Sequence, residues 1–180
     1  MKKFKAFLLI FVLCLGLTKA EVLGKESVPL EHENSTKNLY KEEKKGLVAV
    51  FNDKKAYYIS NDDIFLMSQV VYAESRGEPY DGKVAVASVI LNRLVSPDFP
   101  NSVAGVVKQK NAFSCVKNGK IDITPDDESY RAVLDALKGK DPTSKAVFFY
   151  NPKIATCSWM KNINKKNTKS IGNHVFFAVK

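Results

Sequence analysis

Residues 66–94 decide the fold, and they read LMSQVVYAESRGEPYDGKVAVASVILNRL. Apolar residues recur at helical spacing as far as Glu74, where a short stretch containing Gly and Pro interrupts the pattern. A second run, from about Asp81, has apolar residues on every side, which is typical of a buried helix. The stretch therefore predicts two helices joined by a tight turn, with the second helix at the centre of the core.

Glu74 occupies an unusual place on the first of these helices. With about 100° between successive residues, it falls on the apolar arc that begins at Ile64. Desolvation at the edge of the core and the negative end of the helix dipole both disfavour ionisation there. A general acid needs such a protonated carboxyl. A structural salt bridge to Arg76 or Arg93 would explain the same position, and the pattern alone leaves both interpretations open.

Capping residues give the expected starts of the first two helices. The first helix is predicted from Asp62 or Asp63 to about Ser75, with Asp62 as its N-cap. The second helix is predicted to start near Asp81, which we interpret as another cap. Its polar exceptions, Asn92 and Arg93, either contact the chain around Glu74 or finish the helix.

The remaining segments add two helices and two strands. NSVAGVVKQK (101–110) predicts a short helix capped by Asn101 or Ser102. TPDDESYRAVLDALKGKDP (124–142) predicts a longer one, with Thr124 as cap and Pro125 at the first position. AVFFYN (146–151) and HVFFAV (174–179) are typical of strands. The predicted fold class is α+β, mainly helical, with a small antiparallel sheet.

The chain divides into four predicted parts. Residues 1–20 combine a lysine-rich start, an apolar run and a small residue at Ala20, which predicts a cleaved signal peptide. Residues 21–45 are polar and predict a disordered spacer, and residues 46–60 predict a β-hairpin around Asn52-Asp53. Residues 61–180 form the predicted catalytic domain. We expect an exported protein with no stable membrane insertion after signal cleavage.

Charge and cysteine content narrow the class further. The formal charge is +9, and it is +5 without the first 20 residues and their four lysines. A basic exported protein suits an anionic partner such as a cell wall polymer. After signal cleavage two cysteines remain, Cys115 and Cys157, either as a disulfide or as free thiols.

Several motifs then match a known family in the right order. They are YAESRGEPYDGKVAVASVILNRLVSPDFPNSVAGVV (72–107), AFSCV (112–116), FFYNP (148–152), SW (158–159) and IGNHVFF (171–177). Together they resemble the catalytic domain of the spore cortex-lytic cell wall hydrolases, the SleB/CwlJ family. The glutamate of that family's AE(A/S)RGEP motif falls on Glu74.

The resemblance implies a lysozyme-like fold related to lytic transglycosylases, with Glu74 as the catalytic residue. It implies cleavage of the β-1,4 bond between N-acetylmuramic acid and N-acetylglucosamine, with a 1,6-anhydromuramic end as product. Such a reaction needs one acid, whereas a hydrolysing muramidase needs a second carboxylate. Phe113 and Ser114 match the family's F(T/S) pair, which lines the cleft; the alternative is a core Phe beside an exposed Ser. The implied location is the spore cortex and coat region or the extracellular cell wall.

Four other residues are candidate substrate contacts on their own chemistry. Tyr150 and Asn151 end a predicted strand, where the amide could bond an acetamido group, although Asn-Pro is also a common turn. Trp159 could stack on a sugar ring or belong to the core. His174 opens the last strand and could bond substrate or backbone.

Other classes need different residues. A zinc amidase needs about three metal ligands, and the two histidines are too few, so we expect no metal and no cofactor. A wall peptidase would pair Cys115 with His174, and an inactive wall-binding protein is the third alternative. The expected partner is peptidoglycan and not nucleic acid. The sequence leaves open a regulatory protein as a further partner.

Overall fold

The computed structural model describes residues 40–43, 47–52 and 55–179. The elements, in chain order, are β1 (Tyr40–Glu43), β2 (Leu47–Asn52), β3 (Lys55–Ile59), α1 (Asn61–Glu74), α2 (Tyr80–Val95), α3 (Val103–Val107), α4 (Asp127–Leu137), β4 (Phe148–Tyr150), α5 (Ser158–Asn162), β5 (Lys166–Ile171) and β6 (His174–Ala178). The α+β class, with helices and small antiparallel sheets, is confirmed.

The core forms around α2, as its apolar sequence predicts. Every residue from Gly82 to Leu91 is buried, and α2 packs against α1, α3 and α4. Lys83 is the one charged residue in this buried run, and its ammonium pairs with Glu128 at 3.6 Å. The helix that carries Glu74 is therefore held against a rigid centre.

The predicted helix caps are corrected at three helices. Ser60, and not Asp62, is the N-cap of α1: its side chain accepts from the Asp63 amide, and Asp63 bonds back to the Ser60 amide. Pro79 precedes α2 and Asp81 lies inside its first turn, so Asp81 is not a cap. Asp126 caps α4 in place of Thr124.

Ser102 caps α3, as one of the two alternatives predicts.

The first sheet has the order β1–β2–β3, and all its pairs are antiparallel. Asn52 pairs with Lys55, which confirms a hairpin at the expected place. Tyr40–Glu43 form β1, so the assignment of residues 21–45 to a disordered spacer is wrong for these four residues. The signal peptide and the rest of the spacer lie outside the described residues.

The second sheet has the order β4–β6–β5 and is also antiparallel. Its strands β4 and β6 are the two predicted from aromatic residues. The sequence analysis missed both β5 and α5. It missed β5 because the segment KNTKSI lacks apolar alternation. Five of the six residues of β5 are exposed, which is typical of a free edge.

Asn92 and Arg93 tie α2 to the chain before β4, and not to the chain around Glu74. Asn92 Nδ2 donates to Asp141 Oδ2 at 3.0 Å, and Arg93 Nε donates to the Val147 carbonyl at 2.7 Å. The other alternative, that these two residues only finish the helix, does not account for these long-range hydrogen bonds.

Arg93 is buried among aromatic rings. Only 4% of it is exposed, and its guanidinium carbon lies 5.3, 5.1 and 5.6 Å from the ring centroids of Phe99, Phe113 and Phe148. Burial lowers the pKa of Arg93 to about 10. The planar guanidinium therefore joins α2, the loop before Ser114 and β4 in one cluster.

Among the described residues, no helix has the length and apolar character needed to cross a bilayer.

We predict that Arg93→Lys lowers the free energy of unfolding by about 2 kcal/mol, because an ammonium cannot stack on three rings. Chemical denaturation measures the loss. Arg131→Lys is the matched control, since Arg131 is exposed on α4, and it should change stability by less than about 0.5 kcal/mol. Equal stability of the two variants would contradict the structural role of Arg93.

Candidate active site

Glu74 is half-buried at the last position of α1, as its place on the apolar arc predicts. Its Oε1 accepts two hydrogen bonds, from Ser114 Oγ at 2.9 Å and from the Cys115 amide at 3.1 Å. Both of these donors reach the same oxygen. The carboxyl is thus oriented from one side by a single loop.

The salt-bridge interpretation of Glu74 is wrong for the described residues. Arg76 Nη2 donates to the Tyr72 hydroxyl at 2.8 Å, and Arg93 is committed to the Val147 carbonyl. No ion pair of the described part of the chain includes Glu74.

The loop that carries Ser114 is fixed at both of its ends. Gln69 Nε2, on α1, donates to the Ile123 carbonyl at 2.7 Å. Phe113 is only 4% exposed and packs against Phe149, with 6.4 Å between ring centroids. Because Phe113 is anchored, the next two residues are presented to Glu74.

Phe113 is therefore a core residue, which corrects its expected role as a cleft contact. Its ring offers almost no surface to a sugar. Ser114, by contrast, is exposed and bonded to Glu74. Of the F(T/S) pair, only the serine is placed to orient the acid.

Cys115 is half-buried beside Glu74. Burial, and then the negative charge of Glu74 and a hydrogen bond to its carboxylate, raise the pKa of the Cys115 thiol to about 12. Within the described residues both Cys115 and Cys157 are free thiols.

Glu78 forms a second contact between distant parts of the chain, which we call the clamp: Glu78, Gly172, Asn173 and His174. Its side chain is 6% exposed. Oε2 accepts from the Asn173 amide at 2.8 Å, and Oε1 accepts from Asn173 Nδ2 at 3.1 Å. The clamp joins the turn between α1 and α2 to the turn between β5 and β6.

Gly172 is required by the clamp. Its φ is +58°, and an added Cβ would lie 1.9 Å from Glu78 Oε2 and 2.8 Å from Pro79 Cδ. Any larger residue would push the carboxylate away from Asn173.

His174 lies beside Glu78. Its Nδ1 is 3.8 Å from Glu78 Oε1, and its side chain is 12% exposed. Burial lowers the pKa of His174, and the charges of Glu78 and then Glu74 offset that shift in part. A neutral imidazole is thus favoured beside Glu78.

The other candidate residues lie on the opposite face of the sheet. Neighbouring residues of a strand project to opposite faces, and Phe149 contacts His174 with 5.3 Å between ring centroids. Tyr150 instead packs on Phe177, and Trp159 packs on Phe148. These two aromatic residues are therefore not grouped with Glu74.

Trp159 is 46% exposed, so the core alternative for it is wrong.

Asn151 takes the turn alternative. Its Oδ1 accepts from the Lys153 amide at 2.9 Å, inside the turn that follows β4.

The sequence analysis assigned no contact to Glu78, Gly172 or Asn173. The signal was present in the two quoted motifs, RGEP and IGNH, which supply both sides of the clamp. Only the fold shows that they meet.

Among the described residues, no group of three or more His, Cys, Asp or Glu side chains could hold a metal ion.

The fold and the site together define an α+β, lysozyme-like domain with a glutamate held at a helix end. The sequence model of the family described as Cell Wall Hydrolase matches residues 77–177, which begin three residues after Glu74. The chain belongs to the Cell Wall Hydrolase family.

Two relatives are spore cortex-lytic enzymes. The enzyme of Halalkalibacterium halodurans is 52% identical over 117 residues, which are 65% of this chain and 35% of that protein. The enzyme of Bacillus subtilis is 50% identical over 117 residues, which are 65% of this chain and 38% of that protein. The match thus spans less than two-fifths of each of these relatives.

Two solved structures share the fold. The catalytic domain of the Bacillus cereus SleB protein has a TM-score of 0.61 and 48% identity, covering 67% of this chain and 92% of that one. The catalytic domain of the germination-specific lytic transglycosylase SleB from Bacillus anthracis has a TM-score of 0.61 and 44% identity, covering 71% and 100%. The recognised family and the lysozyme-like class are confirmed.

We predict that Gly172→Ala disrupts the clamp. Gly119→Ala is the control, because Gly119 has φ +73° and no atom within 4 Å of an added Cβ. The control should lose about 1 kcal/mol of unfolding free energy from backbone strain alone. Gly172→Ala should lose about 1–3 kcal/mol more, from overpacking against Glu78.

Chemical denaturation of both variants tests this difference. Adding Glu78→Ala to Gly172→Ala should cost less than the sum of the two single changes, because the clash partner has gone. Equal losses for the two glycine variants, or strict additivity in the double variant, would contradict the clamp.

Proposed function

We propose that the domain is a peptidoglycan lytic transglycosylase that cuts the β-1,4 bond between N-acetylmuramic acid and N-acetylglucosamine. The single observation that carries the proposal is the orientation of Glu74 by two donors on one oxygen. Family membership supports a peptidoglycan-cleaving cell wall hydrolase. The transglycosylase outcome goes beyond that membership.

Glu74 acts in both halves of the reaction. Its carboxyl proton passes to the glycosidic oxygen while the bond from that oxygen to the anomeric carbon of muramic acid breaks. The ionised carboxylate then removes the proton of the 6-hydroxyl of the same muramic acid, whose oxygen bonds to the anomeric carbon. The product is a 1,6-anhydromuramic end, and Glu74 is protonated again.

Ser114 and the Cys115 amide support both steps. Each of them donates a hydrogen bond to the carboxyl, at 2.9 Å and 3.1 Å. Because both reach Oε1, they also fix the plane of the carboxyl. His174 is proposed as a nearby substrate contact, since it lies beside Glu78 in the turn that follows Glu74.

The surroundings of Glu74 favour one acid over two. A retaining hydrolase would need a second carboxylate at about 5 Å. Glu78 is the neighbour in sequence, but it is buried and both of its oxygens are bonded to Asn173. Asp81 is paired with Lys140 at 2.9 Å.

A cysteine peptidase is disfavoured by the thiol itself. Its pKa of about 12 leaves Cys115 almost wholly protonated at neutral pH, whereas the nucleophile must be a thiolate. The geometry pairs Cys115 with an acid, Glu74, and not with a base. An inactive wall-binding protein would not need an oriented carboxyl.

The relatives suggest where this activity is used. Those named above are spore cortex-lytic enzymes, and one neighbouring structure is a germination-specific lytic transglycosylase. We therefore propose the spore cortex as the site of action. We also propose that residues 1–20 act as the signal that directs export. Residues 61–180, with β2 and β3 before them, are the proposed catalytic unit.

We predict that Glu74→Gln lowers the rate of 1,6-anhydromuropeptide release by about 10⁴, the upper end of general acid–base effects, because one residue serves both steps. Mass spectrometry of digested cortex measures the products, and circular dichroism checks the fold. Asp81→Asn is the control and should keep most of the activity, since Asp81 is exposed and paired with Lys140.

Release by Glu74→Gln at a rate near that of the parent would contradict the assignment. Glu78→Gln is not a neutral control, because it places a donor against the donors of Asn173.

A further inference from the structure

The net positive charge of the chain is concentrated at its C-terminal end. All 19 acidic residues lie at or before Asp141, and residues 142–180 contain seven lysines and no acid. Residues 21–141 carry 17 basic and 19 acidic residues and are therefore slightly negative. The basic character of the exported protein thus belongs to the part that folds into β4, α5, β5 and β6.

These lysines are not neutralised by the fold. The lysine ion pairs of the described part of the chain involve Lys83, Lys138 and Lys140, all before residue 142. Five lysines lie on the edge strand β5 or on the segments that connect β4 to it, and we call them the basic edge: Lys153, Lys161, Lys165, Lys166 and Lys169. Four of them are exposed and Lys165 is half-buried.

The lysines of the basic edge lie on both faces of the second sheet. Lys169 is paired across the ladder with Phe176, so it projects from the face that also carries His174. Lys165 lies on the other face, with its ammonium 5.4 Å from the ring centroid of Tyr150. A chain of positive charge therefore runs along a strand that has no neighbour on that side among the described residues.

One end of the basic edge meets the clamp beside the active site. Lys153 Nζ donates to Asn173 Oδ1 at 3.2 Å, and Asn173 is bonded to Glu78. The basic edge thus contacts the clamp, which holds the turn that follows Glu74.

An exposed indole accompanies the lysines. Trp159 is held edge-on against Phe148, with 5.4 Å between ring centroids, and is 46% exposed. A fixed aromatic face suits the apolar side of a sugar ring, and neighbouring ammonium groups suit carboxylates.

From these features we propose that the basic edge and Trp159 bind the uncut part of the peptidoglycan strand, through the free carboxylates of its peptide stems. This inference rests on the proposed substrate but not on the catalytic step. A phosphodiester wall polymer is also negatively charged. It does not, however, combine a sugar ring for Trp159 with carboxylates for the lysines on the strand that the enzyme cuts.

The experiment measures sedimentation of Glu74→Gln protein with insoluble peptidoglycan at low and at high salt. In this background binding is read without cleavage, so it stays interpretable even if the parent has no lytic activity. The test variant adds Lys161→Gln, Lys166→Gln and Lys169→Gln. The control adds Lys55→Gln, Lys108→Gln and Lys138→Gln, which remove the same charge from exposed positions on other elements.

At low salt the test variant should bind about tenfold more weakly than its parent, as three exposed ion pairs would contribute, while the control changes less than about twofold. High salt should remove most of that difference. Trp159→Ala should weaken binding at both salt concentrations, because stacking is not screened. Circular dichroism and thermal unfolding confirm that each variant is folded.

Two treated wall samples separate the sources of negative charge. Amidation of the stem carboxylates should abolish the difference between test and control variants, whereas removal of phosphodiester polymers should leave it unchanged. The reverse pattern would overturn the proposal in favour of a phosphodiester ligand. Equal weakening of test and control variants, or no weakening of either, would overturn it altogether.

Discussion

The buried carboxylate of Glu78 is the contact on which the site depends. It stands in the turn that follows Glu74, and its two oxygens bond Asn173, which lies 95 residues away in the sequence. Leaving a buried charge without partners costs several kcal/mol, so the two turns are strongly held together. This contact brings the second sheet, and with it His174, to the end of α1.

Glu74 and the turn that follows it are consequently held by two different parts of the chain. The loop through Ser114 supplies both hydrogen bonds to Glu74, whereas the second sheet holds the following turn through Glu78. The cavity of about 630 Å³ between α2 and the chain near Asp141 is not lined by Glu74. Glu74 lies beside an exposed loop instead. That position suits a long polymer better than a small enclosed ligand.

Local pattern was sufficient for helices α1 to α4 and for the place of Glu74, because burial repeats along each of these helices. It failed where the deciding contact is with a residue far away in the sequence, or where two nearby residues could both serve as the helix cap. Ser60 caps α1 although Asp62 is an equally good cap by type, since the cap depends on the direction in which the chain enters. Strand β5 is polar because it is an edge, and the clamp between Glu78 and Asn173 has no local signature.

The central claim is that the 6-hydroxyl of muramic acid, and not water, attacks the anomeric carbon. Digestion of purified cortex in water enriched with oxygen-18, followed by mass spectrometry of the released muropeptides, tests it directly. With Glu74 as the acid, Glu78 bonded to Asn173 and Asp81 paired with Lys140, the account predicts muramic ends that lack the label and are lighter by one water than reducing ends. Muramic ends that carry one labelled oxygen would contradict the account and identify the reaction as hydrolysis.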